Sequence, residues 1–210
     1  MIGGESLDDE EGTLLTTTMQ LDADTASLAE EVQLLRATIA VMRARMAELE
    51  TLADTDSLTP LPNRRAFNRE VNRAIMNAAR HGQESAVLYV DMNGLKAIND
   101  THGHSAGDAM ILHVGRELRA RVRVTDTVAR IGGDEFAILL THVGEAEAEA
   151  KAQTLVTALA ETCVDIGLAH LPAGIGCGVT LVRSDDEFEA VLTRADAAMY
   201  ASRVLAGVRR

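Results

Sequence analysis

The chain has 210 residues and a formal charge of −12, and 47% of its residues are hydrophobic, which is enough to build a packed core. This length allows one domain of ordinary size plus an extension. The acidic balance, without a broad basic patch, argues against binding to a nucleic-acid backbone. No run of eighteen apolar residues occurs, and no basic region precedes an apolar one at the N-terminus. The sequence therefore predicts neither a membrane span nor a signal peptide, and we expect a cytoplasmic protein.

The acidic residues are concentrated at the N-terminus. Residues 1–31 contain nine Asp and Glu but no Lys or Arg. A stretch that is acidic and nearly free of aromatic residues cannot bury enough apolar surface to fold. We therefore predict a disordered tail over residues 1–18.

A heptad repeat follows this tail. Apolar residues recur at one seam position as Leu21, Leu28, Leu35, Met42 and Leu49, and the other position holds Thr25, Val32, Ile39, Met46 and Ala53. Branched residues at the second position and leucines at the first favour a parallel two-stranded coiled coil. A helix packed on its own domain is the alternative, but a stripe this long would need an equally long groove. The repeat predicts a dimerisation stalk over residues 19–54.

Residues 55–210 alternate between helical and strand patterns, after a turn-rich segment that contains Pro60 and Pro62. The patterns predict helices near residues 64–80, 105–122, 145–162 and 186–205, strands at 85–91 and 173–182, and a hairpin over 126–141. Interleaved helices and strands with one hairpin predict an α/β sandwich with a mixed or antiparallel central sheet.

The hairpin carries the most informative residues. Gly132 and Gly133 predict a short turn, and Asp134 and Glu135 follow at once. A plain turn is the simplest interpretation, because Asp is common beside glycine turns. Asp91, however, ends the apolar run at residues 86–90, which reads as a buried central strand. If the hairpin packs beside that strand, the carboxylates converge. Such carboxylates would repel one another, but their clustering becomes favourable around Mg²⁺.

The two cysteines, Cys163 and Cys177, lie in apolar surroundings and lack the spacing of metal ligands. A free thiol packs as a small hydrophobic side chain, so apolar surroundings suit it. We therefore predict that both are buried, reduced thiols.

Several ordered motifs accompany the hairpin. They are Asp56-Ser-Leu-Thr-Pro-Leu-Pro-Asn-Arg-Arg65, Asp91-Met-Asn-Gly-Leu-Lys-Ala-Ile-Asn-Asp100, Gly103-His-Ser-Ala-Gly-Asp108, Gly132-Gly-Asp-Glu-Phe136 and Ala195-Asp-Ala-Ala-Met-Tyr200. Together they resemble the GGDEF-domain diguanylate cyclases, which join two GTP molecules into cyclic di-GMP. The resemblance implies a βαββαβ core like the palm of nucleotide cyclases and polymerases. It also implies a Mg²⁺ or Mn²⁺ cofactor.

The resemblance assigns roles to residues at and near the motifs. It implies metal ligands at Asp91, Asp134 and the Met92 carbonyl, catalytic roles for Asp134 and Glu135, and substrate contacts at Asn99, His104, Asp108 and Arg203. Asp134 and Glu135 would face opposite sides of a regular strand, so a shared metal requires the turn to break that alternation. Asn99 and Asp108 suit guanine, although loop residues of these types also cap helices.

Lys96 is notable because the chain has eighteen arginines and only two lysines. A compact ammonium group suits a phosphate, so we assign Lys96 to the catalytic set; a solvated helix residue is the alternative. Arg203 stands where the family has a lysine, and Gly207 stands where it has an arginine. Pro60 replaces a common glycine, and Asn93-Gly94 replaces a more acidic and aromatic pair.

Arg123 and Asp126 match the family's RxxD product-binding motif, although an Arg and an Asp at this spacing are otherwise usually a surface ion pair. A second arginine expected on the next helix is missing, so the resemblance implies partial product inhibition. Taken together, the sequence predicts a homodimeric, metal-dependent diguanylate cyclase. The alternatives are a weakly active or inactive module that binds cyclic di-GMP, and a scaffold that acts through the coiled coil.

Overall fold

The computed structural model describes residues 32–43, 45–46, 54–165 and 170–205. The chain divides into two units, Met1–Ala53 and Asp54–Arg210. In the first unit, residues 32–43 and 45–46 are helical and form α1. No helix among the described residues has the length and apolar character needed to cross a membrane.

The heptad positions on α1 are open to solvent. The side chains of Val32, Leu35, Ile39, Met42 and Met46 are between 41% and 61% exposed. An apolar stripe that stays in water is typical of a helix whose partner is another chain. The coiled-coil dimer remains a prediction, and the tail at residues 1–18 and the remaining seam positions lie outside the described residues.

The second unit is built on one antiparallel sheet. Its strands have the order β2-β3-β1-β6 and are β1 (Ser85–Met92), β2 (Thr127–Arg130), β3 (Glu135–Thr141) and β6 (Ile175–Leu181). Every residue of β1 is buried, as its continuous apolar run predicts for a central strand. Its neighbours β3 and β6 both run antiparallel to it.

Five helices cover the two faces of this sheet. They are α2 (Arg64–His81), α3 (Leu95–His102), α4 (His104–Ala120), α5 (Glu145–Ala160) and α6 (Phe188–Leu205). Buried residues of α2 and α6 form a core on one face, and those of α4 and α5 form a core on the other. For the four strands of this sheet, with α3 and α4 counted as one helical connection, the chain order from β1 to β6 is βαββαβ. The predicted cyclase-like palm with its hairpin is therefore confirmed.

Two elements were missing from the sequence-based prediction. The first is α3, whose eight residues include one fully buried side chain, Leu95, and one partly buried apolar side chain, Ile98, so its apolar pattern is short. Gly103 ends α3 and precedes α4 with a φ of 83°, which favours glycine and turns the chain sharply between them. The second is a small hairpin of β4 (Cys163–Asp165) with β5 (His170–Pro172), whose three-residue strands are too short to be recognised from the sequence.

The prediction that both cysteines are buried is wrong for Cys163. Its side chain is exposed, because in β4 it alternates with Val164, which points into the core. Cys177 in β6 is half-buried, and desolvation raises its pKa to about 12. That thiol therefore stays protonated at neutral pH.

Helix α6 lies very close to strand β6 at Gly178. A Cβ atom added to Gly178 would lie 2.6 Å from the Met199 Cα and still closer to backbone atoms of Ala195 and Met199. Backbone of a packed helix cannot yield as a side chain does, so glycine allows this approach. The contact matters for the site because α6 also carries Arg203.

We predict that Gly178→Ala lowers the free energy of unfolding by about 1–3 kcal/mol, because the added methyl group overpacks the interface between β6 and α6. Urea unfolding followed by circular dichroism measures the loss. Gly133→Ala is the matched control, since a Cβ there meets no atom within 4 Å. Equal stability of the two variants would contradict this account of the packing.

Candidate active site

The register of the central strands brings two carboxylates together. Asp91 near the end of β1 is the direct cross-strand partner of Glu135 at the start of β3. Directly paired residues of an antiparallel sheet project from the same face. The Asp91 residue is only 6% exposed, and Glu135 is half-buried. This end of the sheet therefore concentrates negative charge where water has limited access.

Asp134 lies in the turn that precedes β3. Its carbonyl oxygen accepts a hydrogen bond of 3.0 Å from the Met92 amide, so the turn is attached to the end of β1. The amides of Ile131 and Gly132 both donate to the carbonyl oxygen of Glu135, at 2.9 and 3.3 Å. These bonds continue the pairing of β3 with β1 and with β2 up to the turn at residues 132–134. They hold the backbone of Asp134 beside the end of β1.

The sequence analysis did not identify Arg130 as a residue that holds this turn. Its guanidinium donates to the Gly133 carbonyl oxygen at 2.8 and 3.2 Å and to an Asp56 carboxylate oxygen at 3.0 Å. Burial would raise the pKa of Asp56, but hydrogen bonds from Thr59 and Arg130 outweigh it and lower that pKa. The signal in the sequence was an arginine just before the paired glycines.

The Glu135 side chain is fixed on the face of the sheet that α2 and α6 cover. A Cβ atom on Gly132 would overlap its carboxylate, so the glycine leaves room for it. Burial and a hydrogen bond to Glu135 raise the pKa of Tyr89 above its usual range. Tyr89 therefore remains a donor that holds this carboxylate, a second contact absent from the sequence analysis.

Arg203 on α6 contacts the Asp91 end of the site. One terminal nitrogen donates to the Asp91 carboxylate, and the other donates to the Asp91 carbonyl oxygen at 3.1 Å and to Asn93 Oδ1 at 2.8 Å. The side chains of Arg203 and Asp91 are 13% and 9% exposed. Arg203, predicted as a phosphate contact, is thus paired with a predicted metal ligand. Gly207 lies outside the described residues.

The four remaining predicted substrate and catalytic residues lie on the two helices that follow β1. Lys96 and Asn99 are on α3, and His104 and Asp108 are on α4. Asp108 lies within the helix predicted near residues 105–122, whereas Asn99 lies on α3, which was not foreseen. The Asn99 side chain covers Gly107, where a Cβ would overlap its Oδ1.

Asn99 Oδ1 is buried and has no hydrogen-bond partner within the described part of the chain. A buried acceptor without a donor costs about 1–3 kcal/mol, so a hydrogen bond from a ligand to this atom would be favourable. Lys96, His104 and Asp108 are exposed on the same two helices.

Asp126 is committed to its own loop. One of its carboxylate oxygens accepts from the Arg123 amide at 3.0 Å, and the other accepts from the Thr141 amide at 3.2 Å. The residue is 6% exposed, whereas Arg123 is exposed. Arg119 also donates to the carbonyl oxygens of Arg123 and Asp126. These bonds hold the loop backbone, and Arg123 is an accessible charged side chain on it.

The oxygen donors at the end of β1 and the start of β3 fit a divalent cation whose coordination is completed by the phosphates of a nucleotide. Among the described residues, no three His, Cys, Asp or Glu side chains form a ready-made metal cage. Mg²⁺ is usually bound through one or two carboxylates plus substrate phosphates, and paired Asp91 and Glu135 beside Asp134 supply that much. The guanidinium of Arg203 on Asp91 shows that this corner already stabilises a positive charge.

Known proteins share both the sequence pattern and this fold. Residues 53–205 match the family model "Diguanylate cyclase, GGDEF domain". The bifunctional diguanylate cyclase/cyclic di-GMP phosphodiesterase MucR of Pseudomonas aeruginosa is 38% identical over 154 residues, which cover 73% of this chain and 22% of MucR. Diguanylate cyclase TpbB of Pseudomonas aeruginosa strain UCBPP-PA14 is 34% identical over 194 residues, 91% of this chain and 44% of TpbB. The chain thus spans less than half the length of either relative.

Among solved structures, the coiled coil and GGDEF domain of DgcB from Caulobacter crescentus, in complex with c-di-GMP, superimposes with a TM-score of 0.73. It is 27% identical, and the match covers 83% of this chain and 94% of the DgcB fragment. The family model spans most of the chain, and the sheet, the glycine turn and the paired carboxylates lie within the matched residues. The chain belongs to the GGDEF-domain diguanylate cyclase family.

Proposed function

We propose that this protein is an active diguanylate cyclase that condenses two GTP molecules into cyclic di-GMP and releases pyrophosphate. The observation that supports this most strongly is the direct pairing of Asp91 with Glu135, beside the turn that holds Asp134. Joining two nucleoside triphosphates builds up negative charge on phosphate oxygens. A site for that reaction needs acidic residues able to hold a cation, and this one has them at the ends of two central strands.

Asp91, Asp134 and the Met92 carbonyl oxygen would hold Mg²⁺ or Mn²⁺, which supplies charge neutralisation on the phosphates and acidifies a bound hydroxyl. Asp134 is suited to accept the proton of the attacking 3′-hydroxyl, since it is half-buried in a turn that Arg130 and Met92 hold in place. Tyr89 orients the Glu135 carboxylate, which lies next to Asp91 as a further acidic group of the site.

The surface between α3 and α4 suits guanine. Guanine presents its N1–H and its exocyclic amine as neighbouring donors, whereas adenine has no such pair. Asn99 Oδ1 needs a donor, and the Asp108 carboxylate can accept from the second one. Lys96 and His104 are exposed nearby, where an ammonium group suits a phosphate oxygen and an imidazole can donate a hydrogen bond.

We predict that Asp134→Ala lowers cyclic di-GMP synthesis at least about a hundredfold, because it removes several kcal/mol of transition-state stabilisation. The fold should survive, since the bonds that hold the turn come from backbone atoms and from the Arg130 side chain, which the substitution leaves in place. The assay incubates protein with GTP and Mg²⁺ and identifies the product by mass. Asp185→Ala, at an exposed carboxylate before α6, is the control.

Activity of Asp134→Ala within a few-fold of wild type would refute the role of this carboxylate. If wild type itself makes no cyclic di-GMP, the protein is not an active cyclase. Cyclic di-GMP binding to that inactive protein would then support the alternative of a receptor module.

A dimer is required by the stoichiometry of the proposed reaction, because each domain presents one nucleotide and two must meet. The exposed heptad stripe of α1 supports a coiled coil as the means of bringing two domains together. The matched DgcB fragment consists of a coiled coil and a GGDEF domain. Tethering two half-sites by a short linker raises their effective concentration to about the mM range.

We predict that Ile39→Glu converts the full chain from dimer to monomer and lowers synthesis about a hundredfold at micromolar protein, because a charge at the seam prevents pairing. Light scattering measures the mass, and the GTP assay measures turnover. Val41→Glu is the matched control, since Val41 is exposed on the same helix but outside the seam. A monomeric Ile39→Glu protein with full turnover would contradict dimer dependence.

The loop of Arg123 and Asp126 is proposed as a site for the product. Because the Asp126 carboxylate already accepts two backbone amides, Arg123 would provide the main contact to a phosphate of cyclic di-GMP. A cavity of about 770 Å³, lined among others by Arg116, Arg119 and Asp126, lies beside this loop. With a single accessible arginine on the motif, we expect partial inhibition.

We predict that Arg123→Ala leaves the initial rate near wild type but weakens inhibition by cyclic di-GMP about tenfold. Charge-assisted hydrogen bonds of this kind contribute about 1.5–3 kcal/mol each. Progress curves with added product measure the inhibition constant, and Arg183→Ala, at another exposed arginine, is the control. Equal inhibition of Arg123→Ala and wild type would show that Arg123 does not bind the product.

A further inference from the structure

Arg203 is held on Asp91 by a built arrangement rather than by a chance surface contact. Its two terminal nitrogens donate to the Asp91 carboxylate, the Asp91 carbonyl oxygen and Asn93 Oδ1. Ion pairs between exposed side chains contribute little, but both partners here are largely shielded from water. The contact joins residues 112 positions apart in the chain.

Strand β6 leaves space for this contact at Gly176, the residue paired with Asp91 on the other side of β1. A Cβ atom there would overlap the Arg203 Nε and lie 2.9 Å from one terminal nitrogen and 3.0 Å from the guanidinium carbon. Any larger residue would displace the guanidinium. Gly176 therefore permits Arg203 to reach Asp91.

The same guanidinium retains an unused donor. Its Nε is buried and has no hydrogen-bond partner within the described part of the chain. A buried donor left unpaired carries a cost, so a new acceptor that pairs with it would be favoured. Arg203 also lines a cavity of about 610 Å³ between β6, α5 and α6, which gives the side chain room to move.

The charges lead to a competition. A buried carboxylate needs a positive partner, and in this structure Arg203 provides it to Asp91. A divalent cation that binds the same carboxylate would meet a guanidinium already there, and two positive charges in contact repel each other. The cation therefore binds well only if Arg203 leaves Asp91, because the repulsion otherwise lowers the affinity for the cation.

We propose that Arg203 is the resident counter-ion of Asp91 and makes divalent-cation binding depend on the nucleotide. The triphosphate attracts the guanidinium, satisfies its free Nε–H and releases Asp91 for the cation. Without nucleotide, Arg203 keeps the cation affinity low. Arg203 is a positioning residue in this role, and the proposal rests on the proposed function only in taking Asp91 as a metal ligand.

The test measures Mn²⁺ binding to the full chain without any nucleotide, from the electron paramagnetic resonance signal of free Mn²⁺. We expect Arg203→Gln to bind Mn²⁺ at least about fivefold more tightly than wild type, the lower end of ordinary coupling between linked sites. The sign is diagnostic, because structural damage weakens binding, whereas removal of a competing charge strengthens it. Arg194→Gln is the control, since Arg194 is on the same helix and is paired with Asp186.

Gly176→Ala provides a second test that keeps both charged residues. The added methyl group should push Arg203 off Asp91, so this variant should also bind Mn²⁺ more tightly than wild type. It covers the case in which Arg203→Gln fails to fold. In the double variant Asp91→Asn with Arg203→Gln, the gain should disappear, because the freed carboxylate is absent.

Unchanged or weaker Mn²⁺ binding in folded Arg203→Gln or Gly176→Ala would overturn the proposal, as would a gain that persists without Asp91. These outcomes are independent of catalysis. If wild type fails to convert GTP but the variants bind Mn²⁺ more tightly, the proposed function fails and the counter-ion role stands. If wild type makes cyclic di-GMP and the variants show no gain, only the counter-ion role fails.

Discussion

The antiparallel pairing of β1 with β3 is the constraint on which the rest of the structure depends. β1 is buried along its whole length, and the register places Asp91 opposite Glu135. A shift of one residue would turn every side chain of a strand to the opposite face. Such a shift would exchange the side chains that pack against α2 and α6 with those that pack against α4 and α5, and it would also separate the carboxylates. The same apolar contacts therefore stabilise the fold and fix the geometry of the site.

Charge at this end of the sheet is balanced by arginines from distant parts of the chain. Arg130 connects the glycine turn to Asp56, and Arg203 connects α6 to Asp91. Removing one partner from a shielded ion pair costs about 3–5 kcal/mol, because the other charge is left without compensation. Guanidinium groups therefore compensate these carboxylates without a bound cation. This balance allows acidic side chains to be shielded from water at the ends of the central strands.

The acidic ends of β1 and β3, the helices α3 and α4 and the loop of Arg123 belong to one domain. Asn99 and Asp108 lie on the helices that follow β1, whereas Arg123 lies before the edge strand β2. Strands β2 and β3 are joined by the turn that contains Asp134, so the Arg123 loop and the carboxylates are connected through a single hairpin. If cyclic di-GMP binds at the loop as proposed, it can affect catalysis either through this hairpin or by changing how two domains meet.

The sequence by itself determined the βαββαβ order, the buried strand before Asp91 and the glycine turn before Asp134, because apolar periodicity and paired glycines are local signals. It missed α3, whose apolar pattern is limited to Leu95 and Ile98, and misplaced Cys163, whose three-residue strand is too short to be recognised from the sequence. Only the tertiary structure decided that Arg203 lies on Asp91 and that Arg130 holds the turn. The Arg203 contact depends on strand register and on helix packing at Gly176 and Gly178, which join residues far apart in the chain and leave no local pattern in it. The bond from Arg130 to Asp56 likewise joins residues 74 positions apart.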